Sequence, residues 1–263
     1  MQDTQNFSDK RMIKIAKVGI KKLRHPIFFL DEKTLTSPVE PLLSTTACFS
    51  FFVELPATKK GTHMSRFPTL LYDFAPYFSL TKFEAMAQEI NTRLESQKAF
   101  VECEFLYFYQ KPAPISQTPG LAEVSVSLEI QATRGQTPRS TLRVKVPVKS
   151  LCPCSKAISE FGAHSQRSYV QISVLNPTLS LQECIAIAER SSSSAVYPVL
   201  KRIDEKYVTE HAYHNPRFVE DIVREGALQL KERLGNGTFE ICAENFESIH
   251  HHNAWAQVSS DDL

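Results

Sequence analysis

Three stretches alternate apolar and polar residues with a period of two. Val101, Cys103, Phe105 and Tyr107 interleave with Glu102 and Glu104. Val124, Val126, Leu128 and Ile130 interleave with Ser125, Ser127 and Glu129. Leu142, Val144, Val146 and Val148 interleave with Arg143, Lys145 and Lys149. Such a period turns successive side chains to opposite faces, so each stretch reads as a strand with one apolar face. The turn-rich segment 112–120 and Arg134-Gly135 separate them. Hairpin-length connections favour antiparallel pairing over helical crossovers.

The rest of the chain repeats this scheme. Another strand is expected over 46–55, with Phe49, Phe51, Val53 and Leu55 on one face. Thr81-Lys82-Phe83-Glu84 has the form of a capping box, and Phe83, Met86, Ala87 and Ile90 follow at helical spacing to about Ser96. In the second half, Val170, Ile172 and Val174 alternate with Tyr169, Gln171 and Ser173. Ser180-Leu181-Gln182-Glu183 opens a helix through Ile185, Ala188 and Glu189, and Ser191 to Ser194 reads as a break or surface bend. Asn215 and Pro216 suit the Ncap and N1 positions of a helix whose stripe is Phe218, Val219, Ile222, Val223, Ala227 and Leu230. Gly235-Asn236-Gly237 ends that helix, and Phe239 to Ala243 reads as the last strand. Strands, helix and strands in both halves define a duplicated α+β chain with antiparallel sheets.

Composition narrows the function. The formal net charge of +1 argues against a strongly basic nucleic-acid surface. Six cysteines in 263 residues make no dense disulfide framework. No apolar run approaches the roughly 20 residues of a membrane helix, and the first 24 residues hold no long apolar signal core. A cytoplasmic protein with free thiols is expected. Lys10, Arg11, Lys14, Lys17, Lys21, Lys22 and Arg24 make residues 1–35 a basic arm, expected to lie solvated on the fold or on a neighbouring subunit.

One run carries chemistry: Ser150-Leu151-Cys152-Pro153-Cys154-Ser155-Lys156, followed by Gly162-Ala163-His164-Ser165-Gln166-Arg167. Thiolate and imidazole donors together suit a transition-metal ion. No second Cys pair of similar spacing follows, and the neighbours are polar and basic. That points to an open site facing a substrate. Two cysteines flanking one proline cannot both turn freely to one ion, so one of Cys152 and Cys154 is expected to ligate and the other to sit nearby. Cys48, Cys103, Cys184 and Cys242 lie in apolar patterns and read as core. There is no Walker A sequence and no GxGxxG.

This run resembles the type B family of GTP cyclohydrolase I, with Ser165 where the family usually has Asn. Lys60-Gly61-Thr62-His63-Met64-Ser65-Arg66, the segment Asp204 to Asp221, and Glu244-Asn245-Phe246-Glu247-Ser248-Ile249-His250 resemble its other motifs, in order. The resemblance spans roughly residues 12 to 257 and implies tandem tunnelling-fold (T-fold) modules, here 36–150 and 151–263. It implies hydrolysis of GTP to 7,8-dihydroneopterin triphosphate and formate, the first step of pterin and tetrahydrofolate synthesis.

The resemblance also implies roles. Cys152, His164 and Glu205 would hold one divalent Zn, Fe(II) or Mn(II) per site, with no organic cofactor, and Cys152 is favoured over Cys154. Glu220 would accept the two parallel N–H donors of the guanine edge. His250 would move protons, with Glu247 as its orienter or partner. Lys60, His63, Arg66, Lys156 and Arg167 would hold the triphosphate. His251, Asn253 and Trp255 depart from the family's Pro, Asp and Tyr. A homotetramer is implied, with no nucleic-acid or membrane partner. Two other readings remain: a related cyclohydrolase releasing a cyclic phosphate, and a non-catalytic T-fold binder of purine or pterin.

Overall fold

A computed structural model describes residue 5, residues 7–34 and residues 42–263. The expected module boundary at 35/36 lies outside the described residues. The chain forms two compact units. The first comprises residues up to Leu106 together with Ser127–Leu142; the second comprises Tyr107–Val126 and Arg143–Leu263.

In the first unit the strand order is β3–β1–β2–β4–β5–β6. These strands are β1 (Ile15–Phe29), β2 (Ser44–Leu55), β3 (Tyr77–Phe78), β4 (Lys98–Gln110), β5 (Leu121–Thr133) and β6 (Arg139–Leu151), the last three continuing into the second unit. β1 and β2 pair antiparallel, as do β2 and β4, whereas the short β3 runs parallel to β1. Much of the basic arm is therefore a paired strand. At Gly19 the backbones lie so close that a Cβ would sit 1.8 Å from the Phe51 carbonyl oxygen, so only glycine fits.

Helices α1 (Arg66–Phe74) and α2 (Leu80–Arg93) contact one another. Alternate β2 residues face them. The Phe49 ring lies 6.0 Å from Phe83, and the Phe51 ring 5.9 Å from Phe67. Each such buried ring contributes roughly 1.5–3 kcal/mol by leaving water. The cap of α2 is Ser79, which accepts from the Lys82 N–H at 3.3 Å, and not Thr81. The Thr81 hydroxyl instead donates to Glu32 at 2.8 Å.

In the second unit the order is β10–β9–β7–β6–β5–β4, with β8 (Ser194–Ala195) also on β6. Here β7 (Ser165–Leu175), β9 (Phe239–Asn245) and β10 (Ala254–Ser259) are antiparallel neighbours. The strand expected last is thus followed by β10. Helices α4 (Leu181–Ser191) and α6 (Val219–Leu234) pack together, and α6 covers β9 and β10. The Ser180 capping box opens α4, and Gly235, at φ 59°, closes α6. Two local expectations change. Asn215 is the C-cap of α5 (Arg202–His214), and α6 begins after Phe218, whose N–H is held by Asp221. Ser191 to Ser194 are buried, not a surface bend.

Gly226 sets the approach of α6. A Cβ there would meet Ile241 Cδ1 at 2.2 Å and Ser191 Oγ at 3.2 Å. Gly226→Ala gains up to about 1 kcal/mol of helix propensity, against overpacking of typically 1–3 kcal/mol. A net loss of about 1 kcal/mol is expected, read as a lower urea midpoint; an unchanged or higher midpoint would show that Ile241 yields without cost.

Candidate active site

β6 ends at Leu151, and Cys152 becomes the cap of the short helix α3 (Pro153–Ile158). Its sulfur accepts from the Ser155 N–H at 3.4 Å, and Pro153 at N1 is pre-set for the helix. The Cys152 N–H donates to the His164 carbonyl at 3.1 Å, and the His164 N–H donates to Ser155 Oγ at 3.1 Å. These bonds staple the base of a loop whose tip exposes Ile158 and Phe161, the latter 95% accessible. Gly162 turns the chain back at φ +116°, a region other residues rarely enter. Cys152 is half-buried, whereas Cys154 is exposed.

Neighbouring segments fix this point. The Leu151 N–H donates to Ser193 Oγ at 3.0 Å, and the Leu151 carbonyl accepts from the Arg217 N–H at 3.1 Å. Asn215 Nδ2 donates to the Ser192 carbonyl at 3.0 Å. The buried serines therefore tie the end of β6 to the start of α6. That start carries Glu220 and Asp221. Asp221 is spent on the Phe218 N–H at 2.9 Å, which leaves the Glu220 carboxylate exposed at the helix N-terminus.

His164 Nδ1 lies 3.0 Å from Gln166 Oε1 and 3.8 Å from Glu247 Oε2. Gln166 Nε2 donates to Ser150 Oγ at 2.8 Å and reaches Glu247 Oε1 at 3.4 Å. Ser168 Oγ donates to Ser150 Oγ at 2.9 Å. The Glu247 carboxylate thus partners Gln166 and His164, rather than the ring of His250. Only the His250 N–H meets Glu247, at its carbonyl, and the His250 ring stacks on His252 with centroids 5.0 Å apart. Asn253 Nδ2 donates to Glu244 Oε1 at 2.9 Å; an aspartate there would set two carboxylates against each other.

Glu205 is exposed on the first turn of α5, beside the fully buried Asp204. Asp204 accepts from the Ile115 N–H, the Ser116 N–H and hydroxyl, and the Lys201 N–H, at 2.6–2.9 Å. Burial pushes this carboxyl up, but the Ser116, Lys201 and Ile115 hydrogen bonds outweigh it and hold it well below the usual carboxylate range. Among the described residues no three His, Cys, Asp or Glu side chains group as a metal site. The Cys152–His164 pair suits a transition-metal ion by donor type, but Glu205 does not join it here.

The expected phosphate ligands fall in different places. Lys156 Nζ donates to the Tyr213 carbonyl at 2.5 Å and sits 4.4 Å from that ring's centroid. Arg167 is exposed, and its carbonyl accepts from the Phe246 N–H. In the first unit, Lys60 is exposed, His63 is half-buried, and Arg66 Nη1 donates to the Arg93 carbonyl at 2.5 Å. Sequence reasoning assigned nothing to Gln166, Ser150 or Ser168. The last two carry hydroxyls in the apolar phase of β6 and β7, which was the available signal.

Fold and site together define an α+β protein of mainly antiparallel sheets with a stapled Cys–His loop. A highly active BTUO mutant matches with TM-score 0.50 at 8% identity, over 93% of this chain and 99% of that one, which speaks to the fold alone. The family model described as type I GTP cyclohydrolase folE2 matches residues 1–256. GTP cyclohydrolase FolE2 of Nitrosococcus oceani is 41% identical over 262 residues, covering 99% of this chain and 96% of that protein. GTP cyclohydrolase FolE2 of Azoarcus sp. is 43% identical over 260 residues, covering 98% and 94%. The chain belongs to the type I GTP cyclohydrolase FolE2 family. No helix among the described residues is long and apolar enough to cross a membrane.

Proposed function

We propose that this chain hydrolyses GTP to 7,8-dihydroneopterin triphosphate and formate, the first step of pterin and tetrahydrofolate synthesis. Beyond family membership, one observation carries the reading. The stapled pair Cys152 and His164 shares its anchor, Leu151, with the start of the helix presenting Glu220. Glu220, exposed in a positive helix-end field, is suited to accept the guanine N1–H and 2-amino hydrogens. Cys152 and His164 would hold a divalent Zn, Fe(II) or Mn(II), with Glu205 as the third donor assigned by the resemblance. Such an ion lowers the pKa of bound water towards neutrality.

The remaining groups act around that centre. Glu247 sets a carboxylate beside His164, and His250, on the largely exposed 246–253 loop, has its proton-transfer role from the resemblance. Arg167 offers a guanidinium to phosphate oxygens, and Lys156 a cation at the end of α5. The reading takes the active protein as a homotetramer whose second module, from residue 151, carries most of the site.

The test incubates metal-stripped protein with GTP and then adds Mn²⁺, Fe²⁺ or Zn²⁺ separately. Formate and the fluorescent pterin obtained after oxidation are measured. Metal-dependent formate with a triphosphate-bearing pterin is expected. GTP binding without formate under every metal would leave a purine-binding protein on the same fold, and a cyclic phosphate product would reassign the reaction.

A further inference from the structure

Two contacts fix which way the Gln166 amide points. Its nitrogen donates at 2.8 Å to Ser150 Oγ, which also accepts from Ser168 Oγ, and lies 3.4 Å from Glu247 Oε1. The amide oxygen is then the atom 3.0 Å from His164 Nδ1. An oxygen accepts, so Nδ1 must carry a hydrogen. The second group near Nδ1, Glu247 Oε2 at 3.8 Å, is also an acceptor. In the neutral ring this leaves Nε2 with the lone pair.

Burial makes the arrangement rigid. Ser150 and Ser168 are fully buried, and Gln166 is 8% exposed. Ser150 lies on β6, Ser168 on β7, and Asn245, directly opposite Ser168 in register, on β9. A polar row thus crosses three strands inside an otherwise apolar layer. Buried polar groups cost stability unless paired: Gln166, Ser150 and Ser168 are bonded to one another, whereas Asn245 Oδ1 finds no hydrogen-bond partner among the described residues.

We propose that Gln166, clamped between Ser150 and Glu247, is a positioning residue that fixes His164 as its Nδ1–H tautomer and presents Nε2 as the free donor of the site. The ligand role of Nε2 rests on the function proposed above; the tautomer does not.

The experiment records ring-nitrogen correlation spectra of ¹⁵N-histidine-labelled protein, without metal or GTP, with His164 assigned by its loss in His164→Asn. Wild type is expected to show protonated Nδ1 and unprotonated Nε2. Gln166→Met, which keeps the bulk and removes the acceptor, is expected to give Nε2–H or a mixture. Gln166→Glu, which keeps the acceptor, is expected to retain protonated Nδ1. Ser150→Ala leaves Gln166 in place but unclamps it, and a mixture is expected. Zn²⁺ added alone, against a chromophoric chelator, should bind Gln166→Met about 10–100-fold more weakly, the usual effect of losing a group behind a metal ligand.

An unchanged His164 tautomer in both Gln166→Met and Ser150→Ala overturns the proposal. So does a Gln166→Glu spectrum matching Gln166→Met, because bulk alone would then be responsible. A tautomer that follows Gln166 in a protein releasing no formate would sink the GTP reading and leave the positioning role standing.

Discussion

His164→Ala is expected to cut formate release at least a thousandfold while the protein remains folded. A thousandfold corresponds to about 4 kcal/mol of activation free energy. The fold loses far less. The ring makes one close hydrogen bond, to Gln166, and a typical hydrogen bond contributes about 1 kcal/mol. For a chain of this size that is roughly 2–4 °C in melting temperature. Cys152→Ala should behave alike, because among the described residues its sulfur makes only the 3.4 Å hydrogen bond with the Ser155 N–H. Cys154→Ala is the counterpart: its side chain is exposed, and turnover within about twofold of wild type is expected, as for most surface changes. Formate assays beside circular-dichroism melts decide the matter. Strong loss in Cys154→Ala with a silent Cys152→Ala would move the ligand role to Cys154. Losses in melting temperature above about 10 °C would make these residues structural.

Asp204→Asn is expected to lower the melting temperature by about 5 °C or more, because one carboxylate serves donors from two segments. The amide must turn an N–H₂ towards donors it cannot accept from. The pH dependence has a definite sign. The folded carboxyl is held below its unfolded value near 3.9, so its contribution is present above that pH and fades as the pH falls through the folded value. The melting difference between wild type and Asp204→Asn should therefore be flat above about pH 5 and narrow below about pH 4. A gap that widened on acidification would contradict the assignment. Turnover should also fall, since Asp204 sets the first turn of α5 and hence the direction of Glu205.

The alternating strands were legible because one face of each is apolar and the other polar. β1 was not: register shifts between Ile15 and Val18 and between Ile20 and Leu23 break its period and mix lysines into both phases. Caps were legible where the hydroxyl was the sole candidate, as at Ser180. They misled where a side chain had a rival use, as Thr81 does with Glu32, or where the cap came from inside the helix, as Asp221 does for α6. Cys152 and His164 could be named from the motif because they lie only twelve positions apart in the chain. The Glu247–Gln166 contact joins positions 81 apart, and no local pattern encodes it.

The staple between Cys152, Ser155 and His164 separates the loop into two regimes of sequence freedom. Its base tolerates little, since either bond lost would let the Cys152 thiol and the His164 imidazole drift apart. Its tip, from Ile158 to Phe161, is largely exposed and lies outside both bonds. Insertions, a reporter group or neutral drift at Glu160 can accumulate there without moving the thiol or the imidazole.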